Sequence, residues 1–163
     1  MNDKVLFERH ALNLGKLLAN LQSIEMGARM AIVKLDKRAA DQVQSQLPQL
    51  KAGDMVELNA LTNGDDLRQT LEKYNKRAAL DCRMEIEPIV NLRDALAHGR
   101  AFGFGPVKPL RLLKFSRKAK GDKVLIELAL DMTDEWFHKS VNILDQALEK
   151  IRKTLDYEMK EFR

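Results

Sequence analysis

The chain has 163 residues, of which 45% are hydrophobic and 32% charged, a composition that fits one globular domain and excludes an intrinsically disordered chain. It has no long uninterrupted apolar run, and its charged first residues lack the apolar core of a signal peptide, so we expect a cytoplasmic protein without a membrane segment. The net charge of +4 is too small to indicate nucleic-acid binding by itself, and the single cysteine, Cys82, excludes an internal disulfide and a cysteine-based metal site.

The first predicted element is a helix from about Asp3 to Leu35. Its apolar residues recur at steps of three and four, the spacing of a helix with one buried face. They are Leu14, Leu17, Leu18, Leu21, Ile24, Ala28, Ala31, Ile32 and Leu35. The next segment, 36–64, is predicted to be irregular because Pro48, Gly53 and Asn63-Gly64 interrupt it. Its first part, 37–46, either extends the first helix or forms a mobile arm.

Two shorter helices are predicted next. Acidic residues favour a helix N-terminus, so the pair Asp65-Asp66 indicates a helix that starts near residue 63 and ends near residue 79. Proline is tolerated in the first turn of a helix, and Pro88 therefore places the start of a third helix between residues 85 and 88. We expect this helix to end at His98, because Gly99 suits the position just past a helix end, where a left-handed conformation is common.

A β-hairpin and a long helix complete the chain. After a loop rich in glycine and proline (103–109), apolar and polar residues alternate, which predicts strands at Leu110–Arg117 and Lys123–Leu130 with a turn between them. Thr133 is a suitable N-cap for a last helix that continues to about Leu155. Since the connections are short, we expect a mainly α single domain: an up-and-down helical bundle with a β-hairpin (110–130) inserted before the last helix.

The predicted hairpin carries most of the excess positive charge. Between residues 111 and 123, only Asp122 opposes a set of cations made of Arg111, Lys114, Arg117, Lys118, Lys120 and Lys123. Such a patch attracts a polyanion such as RNA, and Arg100 can add a phosphate contact. The alternative is a solvated hairpin tip whose lysines protect a sheet edge. The sequence leaves both interpretations open.

The third helix carries a group of side chains that could act in catalysis. Asp94 and His98 are four residues apart and therefore neighbours on the helix surface, where a carboxylate can orient an imidazole. Arg93 lies roughly 140° around the helix axis from His98, so the two side chains straddle the helix. An arginine can bind phosphate and an imidazole can move a proton. A histidine before a glycine is also a favourable helix C-cap, and an arginine–aspartate pair is often a solvated surface pair.

The run Leu92-Arg-Asp-Ala-Leu-Ala-His-Gly99 resembles the signature of the HEPN superfamily (higher eukaryotes and prokaryotes nucleotide-binding). That signature is an arginine followed, after four to six residues, by a histidine late in a helix, often with a polar residue directly after the arginine. Here these residues are Arg93, His98 and Asp94. The match is closest over about a dozen residues, and the order of the surrounding helices is also similar to that of HEPN proteins.

The resemblance implies a helical protein that dimerises through the motif helix. Many HEPN proteins are metal-independent endoribonucleases of toxin–antitoxin, abortive-infection and other defence systems. By resemblance, His98 would move a proton at the RNA 2′-hydroxyl or the leaving oxygen, Arg93 would stabilise the phosphate, and Asp94 would orient one of them. The expected products are 2′,3′-cyclic phosphate and 5′-hydroxyl ends, and an antitoxin or other protein is an expected partner. The alternative is a non-catalytic HEPN-like binding or dimerisation module.

The sequence indicates neither a metal nor a cofactor. The other histidines, His10 and His138, are isolated in helical segments, and three scattered histidines give no metal-binding spacing. No nucleotide-binding glycine fingerprint is present. Tyr74 and Trp136 are expected to be core or interface residues.

Overall fold

In a computed structural model of the chain, the described residues are 3–36, 47–103 and 109–161. They form a mainly α protein with four α-helices and an antiparallel sheet inserted before the last helix, which confirms the predicted fold class. The elements are α1 (Asp3–Leu35), α2 (Leu67–Arg77), α3 (Ile86–His98), β1 (Arg100–Phe102), β2 (Arg111–Lys120), β3 (Lys123–Asp131) and α4 (Asp134–Glu161). Among the described residues, no helix combines the length and the apolar character needed to cross a membrane.

The ends of α1 and α3 follow the sequence signals, whereas β2 continues to Lys120, into the predicted turn, and α4 continues to Glu161, beyond the predicted end near Leu155. Two further differences concern α2 and β1. The second helix begins later than predicted because Asp66 is its N-cap: the Asp66 carboxylate accepts from the Gln69 N–H, and the Gln69 side chain accepts from the Asp66 N–H. The strand β1 was not predicted, because three residues are too few for an alternation to be recognised. The predicted arm at 37–46 and residues 104–108 of the predicted loop lie outside the described residues.

The chain divides into two compact units, of which one comprises Gln22–Ile86 and Gln146–Arg163. Tyr74 is fully buried in this unit, and its hydroxyl lies 2.6 Å from Thr154 Oγ1 and donates to neighbouring backbone carbonyls. Burial of the ring confirms that Tyr74 is a core residue, and Cys82 is buried in the same unit. Their apolar neighbours in the core include Ile24, Ala28, Ile32, Leu67, Leu71, Met84, Ala147 and Ile151.

The other unit comprises Met1–Leu21 and Glu87–Asp145 and contains the sheet. Its buried apolar residues are Leu17, Leu21, Ile89, Val90, Leu92, Ala95, Leu112, Met132, Phe137 and Leu144. The strand order is β1-β2-β3, with antiparallel pairing throughout. Gly121 has a φ of 64° in the two-residue turn that joins β2 to β3, a left-handed conformation that glycine adopts without strain. The register of β2 against β3 shifts twice, on either side of Phe115.

Candidate functional site

The C-terminus of α3 lies directly against the sheet, and this contact explains Gly99. The Gly99 N–H donates to the Ala95 carbonyl (2.8 Å), so the glycine closes the last turn of the helix. Its φ is not positive, which differs from the left-handed conformation expected of it. A Cβ at this position would collide with the Ala95 carbonyl and would lie 2.6 Å from Leu112 Cδ1 of β2. Glycine is therefore required by close packing, and that packing brings His98 next to the hairpin.

His98 contacts a cation of the hairpin and not the carboxylate expected beside it. Arg117 Nη2 lies 3.3 Å from His98 Nε2. Since a guanidinium only donates hydrogen bonds, this contact requires an unprotonated Nε2, with the ring proton on Nδ1. Asp94 instead accepts from Arg93 Nη1 at 3.0 Å. The polar neighbour of the imidazole is thus the hairpin cation and not Asp94.

His98 lies in an open groove with a volume of about 1100 Å³, formed by the end of α3, β1 and the two strands of the hairpin. We call this the hairpin groove. Its lining contains one histidine and six lysine or arginine residues, and these cations are Arg100, Lys114, Arg117, Lys118, Lys120 and Lys123. Two acidic residues, Asp94 and Glu127, also line it. The surface is thus strongly cationic and open to solvent, as a polyanion requires.

The acidic groups of the groove do little to neutralise these cations. Asp94 is paired with Arg93, and Glu127 lies 3.5 Å from Lys114 Nζ. In the described part of the chain, the remaining five groove cations have no acidic partner within salt-bridge distance: Arg100, Arg117, Lys118, Lys120 and Lys123. The charge of the groove therefore remains available to a ligand.

Five of the six cations predicted as RNA contacts line the groove. Arg111 is the exception: it lies outside the lining, and its Nη1 is 3.9 Å from Asp131 Oδ1 across the sheet. Arg93 also lies outside the lining, whereas Asp94 and His98 are part of it. This difference between Arg93 and His98 is consistent with their expected separation around the helix axis. Within one chain, the residue that the groove brings to His98 is Arg117 and not Arg93.

Sequence reasoning did not assign five lining residues to the site, Phe115, Ser116, Val124, Leu125 and Glu127, and two of them make contacts that shape the groove. Phe115 lines the groove, and its ring lies beneath the Arg100 guanidinium. The Arg100 Cζ atom is 5.3 Å from the centroid of the Phe115 ring, so a cation–π contact holds the arginine in place. Ser116 accepts from the Leu125 N–H (3.1 Å) and donates to the Lys118 carbonyl (2.9 Å). These bonds replace strand pairing where the hairpin register shifts. No sequence signal marks either role, because both depend on the irregular register.

The described residues bring together no group of three or more histidine, cysteine or carboxylate side chains that could hold a metal ion. No family model, curated protein or solved structure matches the chain. The resemblance to HEPN proteins therefore remains a prediction from the run Leu92–Gly99 and from the order of the helices.

Proposed function

We propose that the protein binds RNA in the hairpin groove and cleaves it as a metal-independent endoribonuclease. The observation that carries this proposal is the contact between His98 and Arg117 at 3.3 Å inside a groove lined by six cations. An imidazole that can accept a proton lies beside a phosphate-binding guanidinium, on a surface that attracts a polyanion. The HEPN-like spacing of Arg93 and His98 supports the same activity.

The proposed reaction uses the contact between the two side chains as a switch. A phosphate of the RNA competes for the Arg117 guanidinium and thereby releases the lone pair of His98 Nε2. His98 then takes the proton of the adjacent 2′-hydroxyl, whose oxygen attacks the phosphorus. The bond from phosphorus to the 5′ oxygen breaks, and that oxygen takes a proton from water. The hydroxide so formed takes the proton from His98, which returns to its unprotonated state. The products are a 2′,3′-cyclic phosphate and a 5′-hydroxyl, and Arg117 stabilises the charge on the phosphate.

The test is cleavage of a labelled single-stranded RNA in the presence of a chelator. We expect His98→Ala to abolish cleavage, since a general base contributes about 10²–10⁴-fold to a rate. His138→Ala is the matched control, because His138 is an exposed histidine outside the groove lining. Absence of cleavage by the folded wild-type protein, or equal rates for wild type and His98→Ala, would reject the nuclease.

A second pair of variants decides which arginine serves the phosphate. If the site is complete within one chain, Arg117→Ala lowers the cleavage rate and Arg93→Ala does not. The HEPN resemblance also predicts a homodimer through α3, in which Arg93 of one copy serves His98 of the other. Loss of cleavage in Arg93→Ala alone would support that two-chain site.

The second candidate is a non-catalytic RNA-binding module, and the pairing of Asp94 with Arg93 favours it. In this arrangement no carboxylate of the described part of the chain hydrogen-bonds to His98, since Asp94 accepts from Arg93. Binding of RNA that weakens on Lys118→Glu and Lys120→Glu substitution, with no cleavage at any RNA concentration, would support this candidate. A role as a toxin or defence effector, with an antitoxin as partner, is part of the nuclease proposal.

A further inference from the structure

The outer edge of β3 presents a run of large apolar residues to solvent. Val124, Leu125 and Ile126 expose 51%, 69% and 52% of their surface, although they are consecutive and therefore point to both faces of the strand. Among the described residues, β3 pairs only with β2 and ends the sheet. An exposed apolar edge strand is a template for pairing with another strand.

The backbone groups of this run are oriented for such pairing. The Leu125 N–H faces β2, where it donates to Ser116 Oγ. Because successive residues of a strand direct their hydrogen-bonding groups to opposite sides, the N–H and C=O groups of Val124 and Ile126 face the outer edge. These two residues can therefore exchange hydrogen bonds with a further antiparallel strand.

We infer that two copies of this chain associate by antiparallel pairing of β3 with β3, centred on Leu125. In this register Val124 of each copy lies opposite Ile126 of the other. The outward N–H and C=O groups of these two residues then hydrogen-bond to each other across the interface. The same register places Lys123 of each copy opposite Glu127 of the other, which gives two complementary charge pairs at the ends of the apolar run. A register centred on Glu127 would instead place two carboxylates face to face.

Self-complementary charge selects a second copy as the occupant of this edge. An isologous contact requires that one patch be complementary to itself, and the sequence Lys-Val-Leu-Ile-Glu (123–127) meets that condition in antiparallel orientation. The pairing joins the strand edges through backbone hydrogen bonds, since side chains stand perpendicular to a sheet. Lys123, Val124, Leu125 and Glu127 also line the hairpin groove, and Glu127 lies 3.5 Å from Lys114 Nζ of its own chain. The inference concerns association of the chain and does not depend on the proposed ribonuclease activity.

Sedimentation equilibrium of the full chain tests the pairing. We expect a concentration-dependent dimer for the wild type and a monomer for Val124→Lys/Ile126→Lys, which places four added positive charges at the interface. Leu80→Lys is the matched control, because Leu80 is 80% exposed on a 3₁₀ turn remote in sequence from the hairpin, and it should leave the dimer intact. Circular dichroism of each variant verifies that the fold is kept.

A charge swap tests the register. Lys123→Glu turns both complementary pairs into like-charge pairs, and we expect the dissociation constant of the dimer to rise about tenfold. Glu127→Lys should have a similar effect, and the double variant Lys123→Glu/Glu127→Lys should restore wild-type association. A wild type that is monomeric at all concentrations, an association constant that is unchanged in Val124→Lys/Ile126→Lys, or a double variant no better than the single ones would overturn the inference.

Discussion

His10 shows how burial alone changes the chemistry of one residue. The side chain is 3% exposed, packs against the Phe137 ring at 5.7 Å, and finds no hydrogen-bond partner among the described residues at either ring nitrogen. Burial lowers the pKa of His10 below 6.5, and the nearby Arg9 guanidinium lowers it further, whereas the Asp134 carboxylate acts in the opposite direction. The sequence identified His10 as an isolated histidine, and the structure shows it to be a neutral core residue.

This burial predicts a pH dependence of stability. Above about pH 6.5 the ring is neutral in both the folded and the unfolded chain, so it contributes no pH dependence. Below that pH the unfolded chain binds a proton that the folded chain excludes, and the free energy of unfolding falls. We expect urea unfolding to show this fall in the wild type, and His10→Leu, which cannot titrate, to show a smaller one.

The control for this experiment is His138→Leu, because His138 is exposed and lies on the same helix as Phe137. His138→Leu should show the same fall in the free energy of unfolding below pH 6.5 as the wild type. An unchanged slope in His10→Leu would show that other groups cause the acid sensitivity.

At the scale of elements, Arg29 connects the loop before α2 to the helix α1. The residue is only 8% exposed, and its guanidinium donates to the Ala60 carbonyl (2.9 Å) and the Asn63 side chain (2.8 Å). Further donations reach the Asp65 carbonyl and the Glu25 carboxylate. A single buried cation thereby organises the irregular segment that precedes the N-cap of α2.

Removal of this cation should destabilise the protein. We expect Arg29→Met to lower the free energy of unfolding by about 3 kcal/mol, because buried acceptors lose charged donors, and to increase proteolysis within 50–65. Arg152→Met is the matched control: Arg152 is an exposed arginine on α4 that pairs with Glu149, and its loss should have no measurable effect. Equal stabilities of the two variants would contradict this role of Arg29.

The elements that the sequence predicted well are those with a long periodic signal. The apolar face of α1 and the end of α3 before Gly99 depend on local spacing, and both helices end where the sequence indicated. The role of Arg29 was not predicted, because apart from Glu25 on the same helix its partners lie 31 to 36 residues further along the chain. The contact of His98 with Arg117 was missed for a similar reason, since it depends on register shifts in the hairpin that leave no compositional signal.

For the whole molecule, the placement of charge matters more than its sum. A net charge of +4 in 163 residues indicates little, whereas the hairpin groove collects five cations without an acidic partner among the described residues. The sequence located most of these cations on one hairpin. Only the fold adds Arg100 from β1 and His98 from α3 to the same surface.

This concentration of charge predicts the salt dependence of RNA binding. Each phosphate neutralised on a single strand contributes about −0.7 to the slope of log K against log salt concentration, so five groove cations predict a slope of about −3.5. Fluorescence anisotropy with a labelled oligoribonucleotide measures this slope, in the His98→Ala background so that the RNA stays intact. Lys118→Ala and Lys120→Ala should each make the slope shallower by about 0.7. Lys139→Ala should not, because Lys139 lies outside the groove lining and pairs with Glu135. If Lys118→Ala and Lys120→Ala kept the wild-type slope as Lys139→Ala does, the RNA would be bound elsewhere on the protein. The groove would then be only a solvated hairpin surface.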